Sequence, residues 1–320
     1  MKNENITNNV KLVKSFVEKE SKLKLGRIKL LSRKILHQNP VYLSKLKNNN
    51  LEVVIKFFKD KNLLRKEVFC NDYLTRNGLL VPKIISFSER NQPFIIMQNI
   101  GRDIPSETDS NKRIKSLAFI HSVSLNDSNN NLMKVLPKRT KSNRITHFKK
   151  YIKILKTNPL IEKHDFRNID LLRESILKTN YSLWENCFCF NDFFVNNSIK
   201  SDEGIYYFDF EKSVIASPFV DVGCIVINYP QRYEKIKSLY IESITHNIKN
   251  KKIEKIHDYV TELNSFVDIG ICEKVIEDAA FLSDDSIKKM KSNSFCKKLA
   301  KKKLESVSFV FDNLKKPVGD

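Results

Sequence analysis

The sequence predicts an α+β protein of two lobes: a small N-terminal lobe, residues 1–100, with an antiparallel sheet and one main helix, and a larger, mostly helical lobe, residues 101–320. Three observations lead to this prediction. The chain of 320 residues is longer than one compact core usually needs. Strand-like runs of β-branched and aromatic residues are concentrated before residue 100, and helical periodicity predominates after it. Gly101 stands where this character changes.

The first lobe is predicted from its apolar patterns. A short amphipathic helix over residues 8–21 opens the chain, because Val13 and Val17 recur on one helical face. One longer helix follows the third strand and ends at Asn77-Gly78, since glycine readily adopts the left-handed conformation of a helix end. The predicted strands are residues 28–37, 41–46, 51–58, 83–87 and 93–98.

The second lobe is predicted to be helical apart from one segment. The helices are expected at residues 111–123, 143–156 and 168–178, and again from residue 230 onward. The exception is residues 187–211, which are predicted as a strand, a loop, a strand, a turn and a further strand.

The net charge of +20 does not by itself indicate a nucleic-acid partner. Lysines are spread along the chain together with abundant Asn and Ile, as AT-rich codon usage would produce. The densest group has the helical spacing of a solvated helix face and lacks interleaved aromatic residues or a base-reading motif. It comprises Lys297, Lys298, Lys301, Lys302 and Lys303. A basic protein that binds nucleic acid or a membrane surface is the less favoured alternative, and it predicts one contiguous basic face.

No segment predicts secretion or membrane insertion. Residues 1–10 are polar, without the apolar core of a secretory signal. The most apolar stretch, residues 214–229, contains Asp221 and Pro218 and is too short for a membrane span. Six cysteines include no Cys-x-x-Cys pair and no histidine at metal-ligand spacing, so buried thiols are expected rather than zinc ligands. These features favour a cytoplasmic location.

Residues 187–211 contain three polar residues of the types that phosphoryl transfer requires. Asp192 and Asn197 lie five residues apart on a loop, and Asp209 follows the strand at residues 205–208. One carboxylate can orient an acceptor hydroxyl and take its proton, while an amide oxygen and a second carboxylate can hold Mg²⁺ against phosphates. Asp and Asn also shape ordinary turns, so the Asp-x-x-x-x-Asn spacing alone is a weak signal.

Lys56 is a lone cation inside an apolar strand, where an unpaired charge would be costly to bury. Glu67 follows eleven residues later on the next helix and is close enough in sequence to pair with it. In kinases, a strand lysine contacts the nucleotide phosphates and a helix glutamate positions it. The alternative is an edge-strand lysine that extends into solvent beside a surface glutamate.

Several motifs together resemble those of the aminoglycoside phosphotransferase and choline kinase family. They occur in the family's order over roughly residues 50–225, and the ordered set is specific although each motif is modest. They are Arg65-Lys66-Glu67 through Leu74, Asn77-Gly78-Leu79-Leu80-Val81-Pro82-Lys83, Leu117-Ala118-Phe119-Ile120-His121-Ser122, Asn191-Asp192-Phe193-Phe194-Val195-Asn196-Asn197, Tyr207-Phe208-Asp209-Phe210-Glu211 and Asp221-Val222-Gly223.

The resemblance implies a bilobal protein-kinase-like fold and transfer of the γ-phosphate of ATP, with Mg²⁺, to a hydroxyl of a small molecule. Carried onto this sequence, it makes Asp192 the catalytic base and Asn197 and Asp209 the magnesium ligands. Lys56 would hold the ATP phosphates and Glu67 would pair with it. The remaining implied roles are adenine binding by the backbone of Gln98, Asn99 and Ile100, support of the catalytic loop by Asp221, and contact of Glu211 with a second metal ion.

Two positions depart from the family pattern. Phe190 stands where the family usually has a histidine that braces the loop, and the segment between the first two strands, residues 37–40, contains no glycine. These departures leave a second hypothesis open, namely a catalytically inactive kinase fold that binds nucleotide or a partner as a regulator.

The acceptor is not specified by the sequence. Choline, ethanolamine, an aminoglycoside, a sugar and an amino alcohol all fit the resemblance. The net positive charge argues weakly against a polycation and for a neutral or anionic acceptor, such as a sugar, an amino alcohol or a phosphorylated metabolite. The carboxylates after residue 230 alternate with lysines as on a solvated helix face, and this is the interpretation we give them. They are Glu234, Glu242, Glu262, Asp268, Glu273, Glu277 and Asp278.

Overall fold

A computed structural model describes residues 9–32, 40–125, 131–178, 184–249, 262–284, 293–306 and 308–314. The end of the first predicted strand, residues 33–37, and most of the segment where a glycine-rich loop was sought lie outside these ranges. None of the described helices is both long enough and apolar enough to cross a bilayer.

Nine strands and eleven helices are described within these ranges. In chain order they are α1 (Val10–Ser21), β1 (Lys29–Ser32), β2 (Val41–Lys45), β3 (Glu52–Phe57), α2 (Lys61–Arg76), β4 (Ile84–Ser88), β5 (Phe94–Gln98), α3 (Ser110–Leu125), α4 (Asn131–Val135), α5 (Lys141–Leu155), α6 (Lys163–Lys178), β6 (Cys187–Cys189), β7 (Ser198–Ser201), β8 (Gly204–Tyr207), β9 (Val214–Ala216), α7 (Phe219–Asn228), α8 (Tyr233–Lys249), α9 (Leu263–Ser283), α10 (Asn293–Glu305) and α11 (Ser308–Asn313).

The chain divides into two compact units, residues 1–103 with 198–211, and residues 104–197 with 212–320. The sequence predicted one division near residue 100 and did not separate residues 198–211 from the helical part. The nucleotide-binding and acceptor-binding roles assigned to the two predicted lobes stay predictions.

The first unit is built on a five-stranded antiparallel sheet in the order β1-β2-β3-β5-β4. Successive side chains of a strand point to opposite faces. Val53, Ile55 and Phe57 of β3 therefore join the core that contains the buried face of α1. Lys56 falls on the opposite face, where neighbouring strand residues pack with Leu64 of α2. The alternation places Lys56, the one cation of β3, on the α2 side of the sheet.

The hairpin of β7 and β8 belongs to the first unit through main-chain hydrogen bonds. The N–H of Tyr207 donates to the carbonyl of Leu80 (3.0 Å), and the N–H of Lys200 donates to that of Asp103 (2.7 Å). Gly204 has φ +144°, and a Cβ there would lie 2.8 Å from Leu80 Cδ1. The absence of a side chain at Gly204 thus permits both the turn and the close approach.

The second unit is organised around α9, which packs against α7, α5 and α10. Nearly every face of α9 is buried, and the buried residues include Glu273 and Lys274. Strands β6 and β9 form a short antiparallel pair that flanks the loop of residues 190–197. All six cysteines are buried and none forms a disulfide, as the sequence predicted.

Candidate active site

Lys56 is the centre of a group of carboxylates in the first unit. Its Nζ lies 2.7 Å from Asp209 Oδ1, 3.4 Å from Glu67 Oε2 and 3.8 Å from Glu211 Oε2. The Lys56 side chain is only 10% exposed, which rules out the alternative of an edge-strand lysine extended into solvent. The structure therefore brings together four residues that the sequence singled out.

The charge of this group exceeds what one ammonium can neutralise. Burial alone would lower the pKa of Lys56, but the carboxylates of Glu67, Asp209 and Glu211 outweigh it and raise that pKa. Burial raises the pKa of Glu67, and the nearby carboxylates of Asp209 and Glu211 add to this effect against Lys56. Three carboxylates around one lysine leave two negative charges, a surplus that suits a divalent cation with oxygen ligands.

Local backbone geometry holds Asp209 and Glu67 in place. Asp209 follows β8 and has a left-handed backbone, φ +70°, a conformation that Asp tolerates better than most residues. The next N–H, that of Phe210, donates to Glu67 Oε2 at 2.8 Å. Glu67 thus accepts from a strand lysine and from the main chain beside Asp209, so α2 and the segment after β8 are joined at this point.

A cavity of about 370 Å³ in the first unit ends at this charged group. Apolar side chains of β1, β2 and β3 line one part, and the segment after β5 lines another. The predicted adenine-binding residues Gln98, Asn99 and Ile100 all border the cavity. Its full lining is Leu31, Val41, Leu43, Val54, Lys56, Glu67, Pro82, Met97, Gln98, Asn99, Ile100, Gly101, Arg102, Ile199, Phe208, Asp209 and Glu211.

The main-chain donors after β5 are not equally available. The N–H of Gln98 donates to Lys83 O (2.9 Å) and that of Asn99 to Glu52 O (3.0 Å), so both extend the sheet. Among the described residues, none accepts from the N–H of Ile100. Ile100 is therefore the residue of this predicted set whose main-chain N–H is left for a ligand in the cavity.

Asp192 lies on the loop of residues 190–197 in the second unit, which is the predicted catalytic loop. Asn197 Nδ2 donates to the Asp192 carbonyl (2.9 Å) and to its Oδ2 (3.2 Å). Lys212 Nζ lies 3.0 Å from the same Oδ2. Both contacts of Asn197 use the amide nitrogen, so its amide oxygen is the atom that can serve a cation.

Asp221 on α7 contacts the main chain of this loop. Its carboxylate accepts from the N–H of Phe190 (2.7 Å) and of Asn191 (2.6 Å), and Asn191 has φ +59°. His121 Nε2 lies 3.3 Å from Asp221 Oδ2, and His121 Nδ1 lies 2.8 Å from the Tyr240 hydroxyl. Burial lowers the pKa of His121 against the influence of Asp221, so a neutral packing histidine fits this position.

Phe190 fills the place of the family's histidine with aromatic packing. Its ring lies 5.1 Å from Phe188 and 4.8 Å from Phe193 between centroids. Arg113 donates to the Phe193 carbonyl (2.7 Å) and lies over its ring. Packing and an arginine therefore support the loop where a histidine would do so by hydrogen bonding.

Sequence reasoning missed the cations next to the loop. Lys212 follows the recognised Tyr207–Glu211 motif directly, and its charge was the only signal. Lys274 stands in the apolar run of α9, where a lone buried cation could have been noticed as Lys56 was. The interpretation of the α9 carboxylates as solvated was wrong, because Asp268 and Glu273 are buried and ion-paired.

No protein-family model matches the sequence, and no curated protein matches it either. Solved structures with a similar fold include three phosphotransferases. A choline kinase from Cryptosporidium parvum Iowa II has a TM-score of 0.66 at 14% identity, covering 95% of this chain and 97% of its own. A spectinomycin phosphotransferase in complex with ADP and spectinomycin has a TM-score of 0.64 at 14% identity, covering 94% of this chain and 98% of its own. Amicoumacin kinase in complex with AMP-PNP and Ca²⁺ has a TM-score of 0.61 at 11% identity, covering 95% of this chain and 96% of its own.

These likenesses extend over almost the whole of each chain, and at such identities they establish the fold. They agree with the order of the motifs along the sequence and with the α+β architecture of the two units. The chain has the protein-kinase-like fold of the choline kinases and aminoglycoside phosphotransferases.

Proposed function

We propose that the protein is a small-molecule kinase that transfers the γ-phosphate of ATP, with Mg²⁺, to a hydroxyl. The observation that carries this proposal is the group formed by Lys56, Glu67, Asp209 and Glu211 at the end of the 370 Å³ cavity. A kinase needs a cation for the phosphates and a surplus of carboxylate for magnesium at the same place. A structural ion pair alone would not require three carboxylates.

Each residue of the first unit has a distinct task in this proposal. The N–H of Ile100 would bind the adenine edge, and the apolar side chains of β1 to β3 would cover the base. Lys56, oriented by Glu67, would hold the α- and β-phosphates. Asp209 would supply a carboxylate oxygen to magnesium, which when bound offsets the charge that develops on the transferred phosphoryl group.

The second unit would supply the groups that act on the acceptor. Asp192 would orient the hydroxyl and accept its proton as the new phosphate ester bond forms and the bond to the β-phosphate oxygen breaks. Asn197 would keep Asp192 in position through its amide nitrogen and offer its amide oxygen to magnesium. Asp221 would hold the loop by accepting from two of its backbone N–H groups.

An inactive kinase-fold regulator is the second candidate. It would bind nucleotide through the cavity of the first unit but would not need Asp192. The paired contacts of Lys212 and Asn197 with the Asp192 carboxylate favour the enzyme, because they hold the base in one orientation.

The direct test is Mg²⁺-dependent turnover of ATP, with GTP in parallel, against choline, ethanolamine, aminoglycosides, sugars and amino alcohols. Asp192→Ala should lower acceptor-stimulated turnover by about 10²- to 10⁴-fold, the usual contribution of a general base. Asp202→Ala, which changes an exposed aspartate at the β7–β8 turn, is the matched control and should leave turnover unchanged. Nucleotide binding without transfer would favour the regulator, and lack of binding to either nucleotide would refute both.

A further inference from the structure

A cluster of ion pairs lies beside the catalytic loop, entirely within the second unit. It joins α5, α9, α10 and Arg139 and contains four cations and three carboxylates, and the nearby carboxylate of Asp192 also acts on Lys274. The cations are Arg139, Arg144, Lys274 and Lys303, and the carboxylates are Glu273, Glu277 and Asp278.

The cluster contacts the residues on both sides of Asp192. Lys274 Nζ donates to the Asn191 carbonyl (3.2 Å), and Arg139 Nη1 donates to the Asn191 side-chain oxygen (3.3 Å). The ammonium groups of Lys274 and Lys303 lie 5.3 and 5.9 Å from the centroid of the Phe194 ring. A ligand held by these cations would therefore be bound next to the catalytic base.

The carboxylates of the cluster are already engaged by its cations. Arg144 holds Glu273 through two nitrogens, Nε at 2.9 Å and Nη2 at 2.5 Å. Glu277 lies 3.4 Å from Lys274 Nζ and 3.8 Å from Arg139 Nη1.

Asp278 is neutralised in the same way, because its carboxylate lies 2.7 Å from Lys303 Nζ and 3.6 Å from Lys274 Nζ. A cationic acceptor would have to displace one of these lysines, at the cost of leaving a partly buried charge without its counterion.

Lys274 is engaged by three oxygens, from Asn191, Glu277 and Asp278, but Arg139 is not fully satisfied. The Arg139 side chain is only 10% exposed, and no described residue accepts from its buried Nε. Lys303 is 23% exposed and reaches solvent from α10. A buried guanidinium donor is stabilised by an added carboxylate or phosphate, which pairs with arginine through charge-assisted hydrogen bonds.

We propose that this cluster is an acceptor subsite for a small hydroxylated anion, whose carboxylate or phosphate pairs with Arg139, Lys274 and Lys303. The inference rests on the proposed function, since it places the acceptor beside Asp192. It assigns the protein to phosphorylation of an anionic alcohol rather than of a polycation, and it gives these three cations the role of selecting the substrate by charge.

The test uses four ligands that share one three-carbon scaffold and differ in charge. They are glycerate, glycerol 3-phosphate, glycerol and 3-amino-1,2-propanediol, each titrated calorimetrically into the full chain with and without Mg²⁺ and AMP-PNP. We expect one or both anions to bind at least about tenfold more tightly than the amine, because the interaction changes sign with the ligand charge. The relative affinity of glycerate and glycerol 3-phosphate distinguishes a carboxylate from a phosphate as the preferred group.

Variants on α10 connect the binding to the cluster. Lys303→Ala should weaken anion binding by about tenfold, and Lys303→Arg should restore most of it because the charge is kept. Lys302→Ala, which changes an exposed lysine on the same helix, should have no effect. Thermal unfolding of each variant verifies that it is folded.

The outcomes separate this proposal from the kinase assignment. Transfer to cationic or neutral alcohols in preference to anionic ones would keep the kinase and overturn the subsite. Anion binding that depends on Lys303, with no binding of ATP or GTP, would keep the subsite and refute the kinase. The proposal is overturned if none of the four ligands binds, if the amine binds as tightly as the anions, or if Lys303→Ala and Lys302→Ala behave alike.

Discussion

Two side chains from different segments of the chain contact the Asp192 carboxylate. Asn197 comes from the same loop, and Lys212 comes from the segment that follows β8 and Asp209. Lys212 is about half exposed, so its ammonium keeps most of its hydration and remains able to contact a further anionic group. In the proposed mechanism, a lysine in this position would orient Asp192 as the base and pair with the transferred phosphoryl group.

Lys212→Ala tests this role. We expect kcat to fall on the order of tenfold to a hundredfold, because the base loses a charged partner that fixes its orientation. Nucleotide affinity should change little, since Lys212 is not part of the cavity lining. Steady-state kinetics with nucleotide binding measured separately gives both values. Lys212→Arg keeps the charge and should recover most of the rate; equal rates for Lys212→Ala and the unchanged protein would contradict the assignment.

Asp221→Ala tests the support of the catalytic loop. The variant leaves the N–H groups of Phe190 and Asn191 without an acceptor, and each buried unsatisfied donor costs about 1–3 kcal/mol. We expect the free energy of unfolding to fall by roughly 3 kcal/mol in urea titration. Asp221→Asn retains an acceptor oxygen, so its free energy of unfolding should fall by less than that of Asp221→Ala. Equal stability of both variants and the unchanged protein would show that the loop does not depend on this contact.

At the scale of elements, α7 and α9 cross closely because each has a glycine at the contact. A Cβ on Gly270 would lie 2.4–2.6 Å from atoms of Phe219, and one on Gly223 would lie 3.1 Å from the Cα of Ile271. Real Cβ atoms do not approach backbone atoms so closely, so the helices would have to move apart. This crossing positions Asp221 on α7 under the catalytic loop.

Gly270→Ala should therefore destabilise the protein although alanine favours helix. The higher helix propensity of alanine alone would stabilise the folded protein by about 1 kcal/mol. Overpacking of a tight contact, in contrast, typically destabilises it by about 1–3 kcal/mol and at times more. We expect a net loss of stability in thermal and urea unfolding. Asn264→Ala, at an exposed position of the same helix, is the control and should be neutral or slightly stabilising. A gain of stability in Gly270→Ala would contradict the close crossing.

The pairing of α5 with α9 contributes stability that depends on pH. Burial alone would raise the pKa of Glu277, but Lys274, Arg139 and the Tyr151 hydroxyl outweigh it and lower that pKa to about 2. A carboxyl group whose pKa is lower in the folded state stabilises the fold above its unfolded-state pKa, about 4.5, and loses this contribution as the pH falls toward 2. The difference between the two pKa values corresponds to a contribution of about 3 kcal/mol to the free energy of unfolding at neutral pH.

Glu277→Gln removes this contribution. Urea unfolding of the variant and the unchanged protein should differ by about 3 kcal/mol at pH 7. The difference should shrink between pH 4.5 and pH 3, because Glu277 of the unchanged protein takes up a proton in the unfolded state there while it stays ionised in the folded state. A difference that stays constant across this range would contradict the lowered pKa.

At the scale of the whole molecule, a chain of net charge +20 concentrates negative charge around Lys56. Burial first, and then the carboxylates of Asp209 and Glu211, raise the pKa of Glu67, so a bound cation would relieve the repulsion among these groups. A ligand that binds only the folded protein stabilises it by mass action. Nucleotide and magnesium should therefore stabilise the protein together more than either does alone.

Thermal unfolding measures this coupling. AMP-PNP with Mg²⁺ at about 100 times its dissociation constant should add about 2.7 kcal/mol to the free energy of unfolding and raise Tm by several degrees. Lys56→Met should abolish most of the nucleotide shift, and Asp209→Asn should abolish most of its dependence on Mg²⁺. Lys115→Ala changes an exposed lysine of α3 and serves as the control, so AMP-PNP with Mg²⁺ should raise its Tm by the full amount. An equal shift in Lys56→Met would place nucleotide elsewhere.

Local patterns in the sequence were sufficient to predict the fold class and most of the elements. The apolar run of β3 identified Lys56 as an exception, the Asn77-Gly78 pair marked the end of α2, and the order of the motifs indicated the kinase-like fold. Helices α1, α3, α5 and α6 begin and end within about five residues of the predicted positions, whereas α4 and α7 were not predicted. Lys56 and Glu67 are only eleven residues apart, so their pairing was also within reach of a sequence argument.

Which distant charges meet depends on the tertiary structure. The carboxylates of α9 have the spacing of a solvated face, yet Glu273 is buried against Arg144, 129 residues away in sequence. Lys212 pairs with Asp192 because the chain leaves the loop, forms the β7–β8 hairpin of the first unit and then returns to the second. Periodicity reports which face of an element is apolar, but it does not report which element covers that face. The ion pairs around the candidate site depend on that second fact, and so they could not be predicted from the sequence.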